Sequence, residues 1–210
     1  MILTVGMFAP GLPAQRTLNV HRGNGFALAT QSGTIAAALA QDALVFALRA
    51  DTTANSAVGV YVDRLRLAFQ TIAAFTTPIT AGRRLGIYRA ANAGAEVSGG
   101  TDVKSTIRKK DSLSAASTAA LALIATTAGL TAGGLAREAA PLAHLDLVSI
   151  GAAGARQEHI FELASTKPQE WCLNPGEYLV ISNPVAMDAG GTWQLTLGEL
   201  SWYEATRTVV

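Results

Sequence analysis

Hydrophobic and polar residues alternate with a period of two along several stretches of the chain, which indicates β-strands rather than helices. The clearest stretch covers residues 57–72. Its apolar side chains occupy one parity and then the other: Val58, Val60 and Val62, followed by Leu65, Leu67 and Phe69. A one-residue slip inside an otherwise regular strand is typical of a β-bulge. The pattern therefore predicts one long strand with a bulge near Asp63 and Arg64.

The same change of parity appears in the last strand of the chain. Trp193, Leu195 and Leu197 share one parity, whereas Leu200 and Trp202 share the other. Gly198 lies where the parity changes, and a glycine inside a strand often marks a bulge or a sharp bend. Bent strands allow one strand to serve both layers of a sandwich. We therefore predict a second bulged strand around Gly198.

Shorter apolar runs predict further strands. They are Arg84–Arg89, Leu121–Ala125, His144–Ile150, Glu158–Leu163 and Tyr178–Ile181, and the runs Thr34–Leu39 and Leu44–Leu48 are interpreted as a β pair. Between two strands, Asn174–Glu177 has proline second and glycine third, the sequence that a type II turn requires. About nine to eleven strands without βαβ spacing indicate a mainly all-β fold, an antiparallel β-sandwich or jelly roll.

Two regions do not follow this pattern. Residues 1–25 are rich in proline and glycine and are expected to form an irregular N-terminal arm. Residues 26–210 are expected to form a single β-sandwich domain with a loop-rich excursion at 90–134. Within 112–134 the composition is Ala, Thr, Ser and Gly, so a short helix over 112–123 competes with a strand at 121–125.

Composition adds an argument for self-association. Charged residues make up 15% of the 210 residues, hydrophobic residues 50%, and the mean hydropathy is +0.29. A surface with so few charges is explained if copies of the chain or a partner cover part of it. The net charge of +1 favours no nucleic-acid partner. The first residues do not resemble a secretory signal, and the uncharged run at 112–136 has too few large apolar side chains to predict a membrane span.

Few residues suggest catalysis or metal binding. The three histidines are scattered, and only His144 and Asp146 lie two apart on a strand, as a metal pair or a hydrogen-bonded pair. Cys172 is the single cysteine, which excludes an internal disulfide, and we expect a buried thiol. Glu158 and Glu162 would be about 13 Å apart along a strand, too far for paired glycosidase carboxylates. We therefore expect no catalytic residue, no metal and no cofactor.

Two groups of residues are candidates for contact with a partner. The first is a cationic cluster, Lys104, Arg108, Lys109 and Lys110, which would bind an acidic surface or, alternatively, lie on a solvated loop. The second is an aromatic group, Trp171, Trp193, Trp202 and Tyr203, which would form an exposed platform for a sugar or, as we prefer, pack in the core.

The C-terminal pattern WCLNPGEYLVISN…GGTWQLTLGELSWYE resembles β-sandwich structural proteins of tailed bacteriophage virions. In those proteins a strand ends in a Pro-Gly turn, continues as an apolar strand and is followed by a final strand with an aromatic-acidic ending. The match covers about the last forty residues. VGVYVDRLRLAFQTIAAF and RRLGIYRA are similar in style.

The resemblance implies a non-enzymatic protein of the virion, assembled in the host cytoplasm. It would be a capsid decoration (cement) protein that binds the major capsid protein of the head shell, or a neck or tail component, and such proteins commonly form homotrimers. Two alternatives remain: a carbohydrate- or receptor-binding β-sandwich of a tail or fibre, and a polysaccharide hydrolase.

Overall fold

The computed structural model describes residues 24–36, 38–50, 58–76, 82–111, 115–148, 150–162, 171–187 and 190–206. These residues form two antiparallel β-sheets with no α-helix and a single 3-10 turn at Lys104–Thr106. The predicted antiparallel β-sandwich is confirmed, whereas the jelly-roll connectivity stays a prediction. The described residues contain no helix with the length and apolarity to cross a membrane.

The first sheet has seven strands in the described residues: β1 (Gly25–Gln31), β2 (Ile35–Ala36), β4 (Val58–Ala73), β7 (Arg108–Lys109), β11 (Arg156–Glu162), β12 (Cys172–Leu173) and β14 (Thr192–Thr206). Their order is β11-β4-β14-β1-β7, and β12 and β2 pair with β4 and β14. The two longest strands, β4 and β14, therefore lie side by side at the centre.

The second sheet also has seven strands: β3 (Leu44–Arg49), β5 (Arg83–Asn92), β6 (Thr101–Asp102), β8 (Leu121–Ile124), β9 (Leu135–Arg137), β10 (Ala143–Leu147) and β13 (Tyr178–Ser182). Their order is β10-β5-β13-β3-β8-β6, and β9 pairs with β5. All six residues of β3 and all five of β13 are buried, which agrees with their continuous apolar sequences. The apolar strand predicted at 178–181 is confirmed.

Both predicted bulges are present in the β4–β14 pair. Arg64 pairs with Ser201 and Val62 with Trp202, so Asp63 is the extra residue on β4. Leu67 pairs with Leu197 and Arg66 with Glu199, so Gly198 is the extra residue on β14. The bulges let apolar residues of opposite parity reach the same core. A third shift, at the start of β14, leaves Ile72 unpaired and 40% exposed.

Aromatic side chains fill the space between the sheets. Trp193 stacks on Phe69 with ring centroids 4.9 Å apart, and Trp202 lies 5.9 Å from Phe26. Cys172 is buried, as expected. The turn at Asn174–Glu177 is also confirmed: the Glu177 N–H donates to the Asn174 carbonyl at 3.0 Å, and Gly176 has a φ of 81°.

Several finer predictions are wrong. The runs 34–39 and 44–48 do not pair with each other, because Ile35–Ala36 joins β14 and Leu44–Arg49 joins β8 and β13 in the opposite sheet. Residues 115–134 contain no helix, because Leu121–Ile124 is a strand paired with β3. The described residues form fourteen strands rather than nine to eleven, since four of them have only two residues. The predicted arm falls almost wholly on residues 1–23, outside the described residues.

Candidate partner-contact edge

The cationic cluster lies on residues 101–110, which cross one edge of the sandwich and are called here the crossing segment. The segment begins as β6, which pairs with β8 at the end of the second sheet. It passes through the 3-10 turn and ends as β7, which pairs with β1 at the end of the first sheet. The sequence predicted only a loop here, whereas the segment joins the two sheets. We call this side of the molecule the closed edge.

Local contacts fix the crossing segment on the core. The Asp102 carboxylate accepts a hydrogen bond from the Lys104 N–H at 2.8 Å, an Asx-type contact just before the 3-10 turn. Thr106 donates its hydroxyl to the Val103 carbonyl at 2.7 Å. Val103 is buried and Ile107 packs against the core. With these apolar residues anchored inside, the cations between and after them lie at the surface.

The four cations have different environments. Lys110 is held within the molecule, because its Nζ lies 3.2 Å from Asp63 Oδ2 and 5.1 Å from the centre of the Tyr203 ring. Lys104, Arg108 and Lys109 are exposed, and none of them has a carboxylate at ion-pair distance among the described residues. Lys104 Nζ makes one long hydrogen bond, to the Ala120 carbonyl at 3.4 Å, so these three cations keep donors for an external anion.

A shallow groove of about 440 Å³ runs beside these cations. Its lining combines apolar and polar residues: Phe26, Asp102, Lys104, Ser105, Ile107, Lys109, Ala116 and Ser117. The groove is open to solvent and does not enclose a small ligand.

The groove wall is tied to the core by a buried carboxylate that the sequence did not single out. Glu204 is 3% exposed and accepts three hydrogen bonds: from the Ser117 hydroxyl at 2.6 Å, the Thr118 N–H at 2.8 Å and the Trp202 indole N–H at 3.1 Å. The only sequence signal was its strand parity, shared with Leu200 and Trp202. Two of its three donors, on Ser117 and Thr118, lie more than eighty positions away, so these partners could not be inferred.

The alternative prediction of an exposed aromatic platform is wrong. Trp171 is 4% exposed, and Trp193 and Trp202 are fully buried. Tyr203 is half-buried and lies under the Lys110 side chain. The bulges in the β4–β14 pair place Trp193 and Trp202 on the core side, where both pack. The carbohydrate-binding alternative consequently loses the residues on which it depended.

The remaining ionisable candidates form surface pairs. His144 Nε2 lies 3.5 Å from Asp146 Oδ2, with about half of each side chain exposed. The described residues contain no group of three or more side chains that could hold a metal ion. Glu158 pairs with Arg66, and Glu162 lies 3.7 Å from Arg64. The hydrogen bond from Arg66 holds the pKa of Glu158 below its usual range.

The opposite side of the sandwich is built differently, and we call it the open edge. Its outermost strands are β10 of the second sheet and β11 of the first. Gln157 bridges them: its side-chain oxygen accepts from the Val148 N–H at 2.8 Å, and its amide donates to the Asp146 carbonyl at 2.6 Å. Val148 is 65% exposed and Ile160 is 41% exposed. The chain passes directly from β10 to β11 at this edge, and the Gln157 side chain adds two hydrogen bonds between the two sheets.

Comparison with known proteins adds no relative: no family model matches the chain, and neither a curated protein nor a solved structure is significantly similar to it.

Proposed function

We propose that this chain is a non-enzymatic structural protein of a tailed-phage virion, a capsid decoration protein that binds the head shell as a homo-oligomer. The observation that carries the proposal is the closed edge, where Lys104, Arg108 and Lys109 lie at the surface beside a shallow groove without a carboxylate partner among the described residues. Fixed cations on a rigid edge can recognise an acidic protein surface without a deep pocket.

Two further observations support this function. The all-β sandwich is the fold that the C-terminal resemblance implies. The ionisable residues that were considered for catalysis or metal binding are dispersed in surface pairs rather than gathered in a cleft. The head shell is an assembly of protein, so its recognition needs complementary charge and shape rather than reactive groups.

The oligomeric state is the first test. Light scattering at micromolar concentration should give a stable mass above that of one copy, 21.7 kDa, and a trimer would give 3 × 21.7 kDa, about 65 kDa. A clean monomer would contradict the proposal.

The contact itself is tested in particles. Phage particles purified from a host that produces the chain should contain it in a fixed ratio to the shell protein. Replacing Lys104, Arg108 and Lys109 together by serine should lower this ratio about tenfold or more, because each lost contact weakens a charge-dependent interface. The control replaces Arg84 and Arg89 of β5 by serine, two partly exposed cations that lie away from the closed edge and from β11. Absence of the unaltered chain from particles, or equal loss with both variants, would overturn the proposal.

A further inference from the structure

Strand β11 forms the end of the first sheet at the open edge. It pairs along its whole length with β4, and among the described residues no strand pairs with its other side. It has seven residues, of which five are exposed. A strand of this length with a free side is a template for pairing with another strand.

The backbone of β11 presents alternate residues to the free side. The Thr71 N–H donates to the Ala155 carbonyl at 2.8 Å, so the polar groups of Thr71 point toward β11. Every second residue of β4 repeats this direction. The backbone N–H and C=O groups of Gln157, His159 and Phe161 therefore point toward β4. The outward backbone groups belong to the other parity: Arg156, Glu158, Ile160 and Glu162.

The charges on this strand favour one way of pairing it with a copy of itself. If His159 lies opposite His159 of the second copy, Arg156 lies opposite Glu162, and Glu158 lies opposite Ile160. If the twofold axis passed through Glu158 instead of His159, the two copies of the Glu158 carboxylate would lie opposite each other. Moving the axis to Ile160 would set Glu158 against Glu162. Opposite charges therefore meet in the first arrangement, and like charges meet in its neighbours.

We propose that β11 of one copy pairs antiparallel with β11 of a second copy about a twofold axis at His159, which joins the two first sheets into one. The outward residues then exchange backbone hydrogen bonds, and the His159 pair lies between two such pairs. This contact rests on the proposed homo-oligomer and adds a surface to it. The β11 contact is twofold and joins two copies. An assembly that combines this contact with a threefold axis therefore contains six copies.

A cysteine at position 159 provides a direct test. In antiparallel sheets, a pair without mutual hydrogen bonds has Cα atoms about 4.5 Å apart, within the range of a disulfide. The variant His159→Cys should therefore give a covalent dimer of 2 × 21.7 kDa, about 43 kDa, on a non-reducing gel, and reductant should abolish it. The native Cys172 is buried and should not react.

The matched control is Gln157→Cys, on the same face of the same strand. In the proposed pairing the two copies of residue 157 are four positions apart along the strand, about 13 Å, which is too far for a disulfide. We expect a crosslinked fraction about ten times smaller than for His159→Cys. Equal yields would show random collision and overturn the proposal, as would a folded His159→Cys variant that forms no dimer.

Charge reversal tests the register. Arg156→Glu places two carboxylates opposite each other, and Glu162→Arg places two cations opposite each other. Either change should weaken self-association in sedimentation about tenfold or more, and the double variant should restore it. A double variant as weak as the single ones would contradict this register.

The outcomes separate the two proposals. A trimer by light scattering without a crosslink at position 159 would overturn the β11 contact and leave the virion function standing. A monomer by light scattering, also without a crosslink, would overturn both. A dimer or hexamer that crosslinks at position 159 is the result expected from both together.

Discussion

The two edges of the sandwich differ in how the outermost strands of the two sheets are connected and covered. At the closed edge, the crossing segment passes from the end of one sheet to the end of the other and pairs with both. At the open edge, β10 and β11 are consecutive strands, the Gln157 side chain adds two hydrogen bonds between them, and no strand of the described residues pairs with the outer side of β11. A sheet ends in unpaired backbone groups unless chain covers them. This difference is the reason why we propose charge recognition for the closed edge and strand pairing for the open edge.

The largest contrast should come from removing an aromatic residue near each edge. Trp202 is fully buried against Phe26 next to β7, whereas Phe161 is half-buried on β11, 6.4 Å from Trp171. Trp202→Ala should lower the free energy of unfolding by about 3–5 kcal/mol, and Phe161→Ala by about 1–3 kcal/mol, since less packing is lost at the open edge. Urea unfolding at one protein concentration measures both. Equal losses of unfolding free energy in the two variants would contradict the expected difference between the edges.

Two glycines with positive φ provide the next comparison. Gly100 precedes β6 with a φ of 68°, and a Cβ there would lie within 3 Å of the Ile124 carbonyl group. Gly154 precedes β11 with a φ of 80° and open space around it. Gly100→Ala should cost about 2–4 kcal/mol through strain and clash, and Gly154→Ala only the strain of about 1–2 kcal/mol. Thermal unfolding is the measurement, and a larger loss at Gly154 would reverse the conclusion.

Polar links at the two edges should also differ. Glu204→Ala leaves the part-buried Thr118 N–H and the buried Trp202 indole N–H without their acceptor and should cost about 2–3 kcal/mol. Gln157→Ala removes two exposed hydrogen bonds and should cost less than about 1 kcal/mol, because water replaces them. Amide hydrogen exchange should then speed up in β11 for Gln157→Ala and in residues 115–120 for Glu204→Ala. Exchange that speeds up in the same strands for both variants would be inconsistent with separate edges.

The smallest effect concerns pH at the open edge. Because Arg66 lowers the pKa of Glu158 on β11, the carboxylate favours the folded state above its ordinary pKa, and this contribution disappears as the pH falls through the lowered value. Carbon-detected NMR titration should show the pKa of Glu158 rising toward its ordinary value in Arg66→Gln. Arg84→Gln, on the other sheet, is the control and should leave it unchanged. An unaltered titration in Arg66→Gln would show that the pair does not form in solution.

The sequence predicted features that depend on neighbouring residues. The parity changes at Asp63 and Gly198, the Pro-Gly turn before β13 and the apolar run of β13 itself each have a local cause, and each is confirmed. Strand pairing across long separations has no such signal. Ile35–Ala36 therefore could not be assigned to β14, more than 150 positions later.

The candidate site was predicted in part. The cluster Lys104, Arg108, Lys109 and Lys110 was recognised by charge density alone. Its position on a crossing segment was not predicted, because β6 and β7 have two residues each and show no period. The ion pair between Lys110 and Asp63 depends on the bulge of β4, which turns the Asp63 carboxylate toward this edge. For the three tryptophans, the sequence was compatible with burial in the core and with an exposed platform, and the packing of the structure shows burial.

The most direct test of the account is the mass of the protein in solution by light scattering at micromolar concentration. The account predicts a stable assembly at an integral multiple of 21.7 kDa. A protein that remains at 21.7 kDa over the whole concentration range would contradict it.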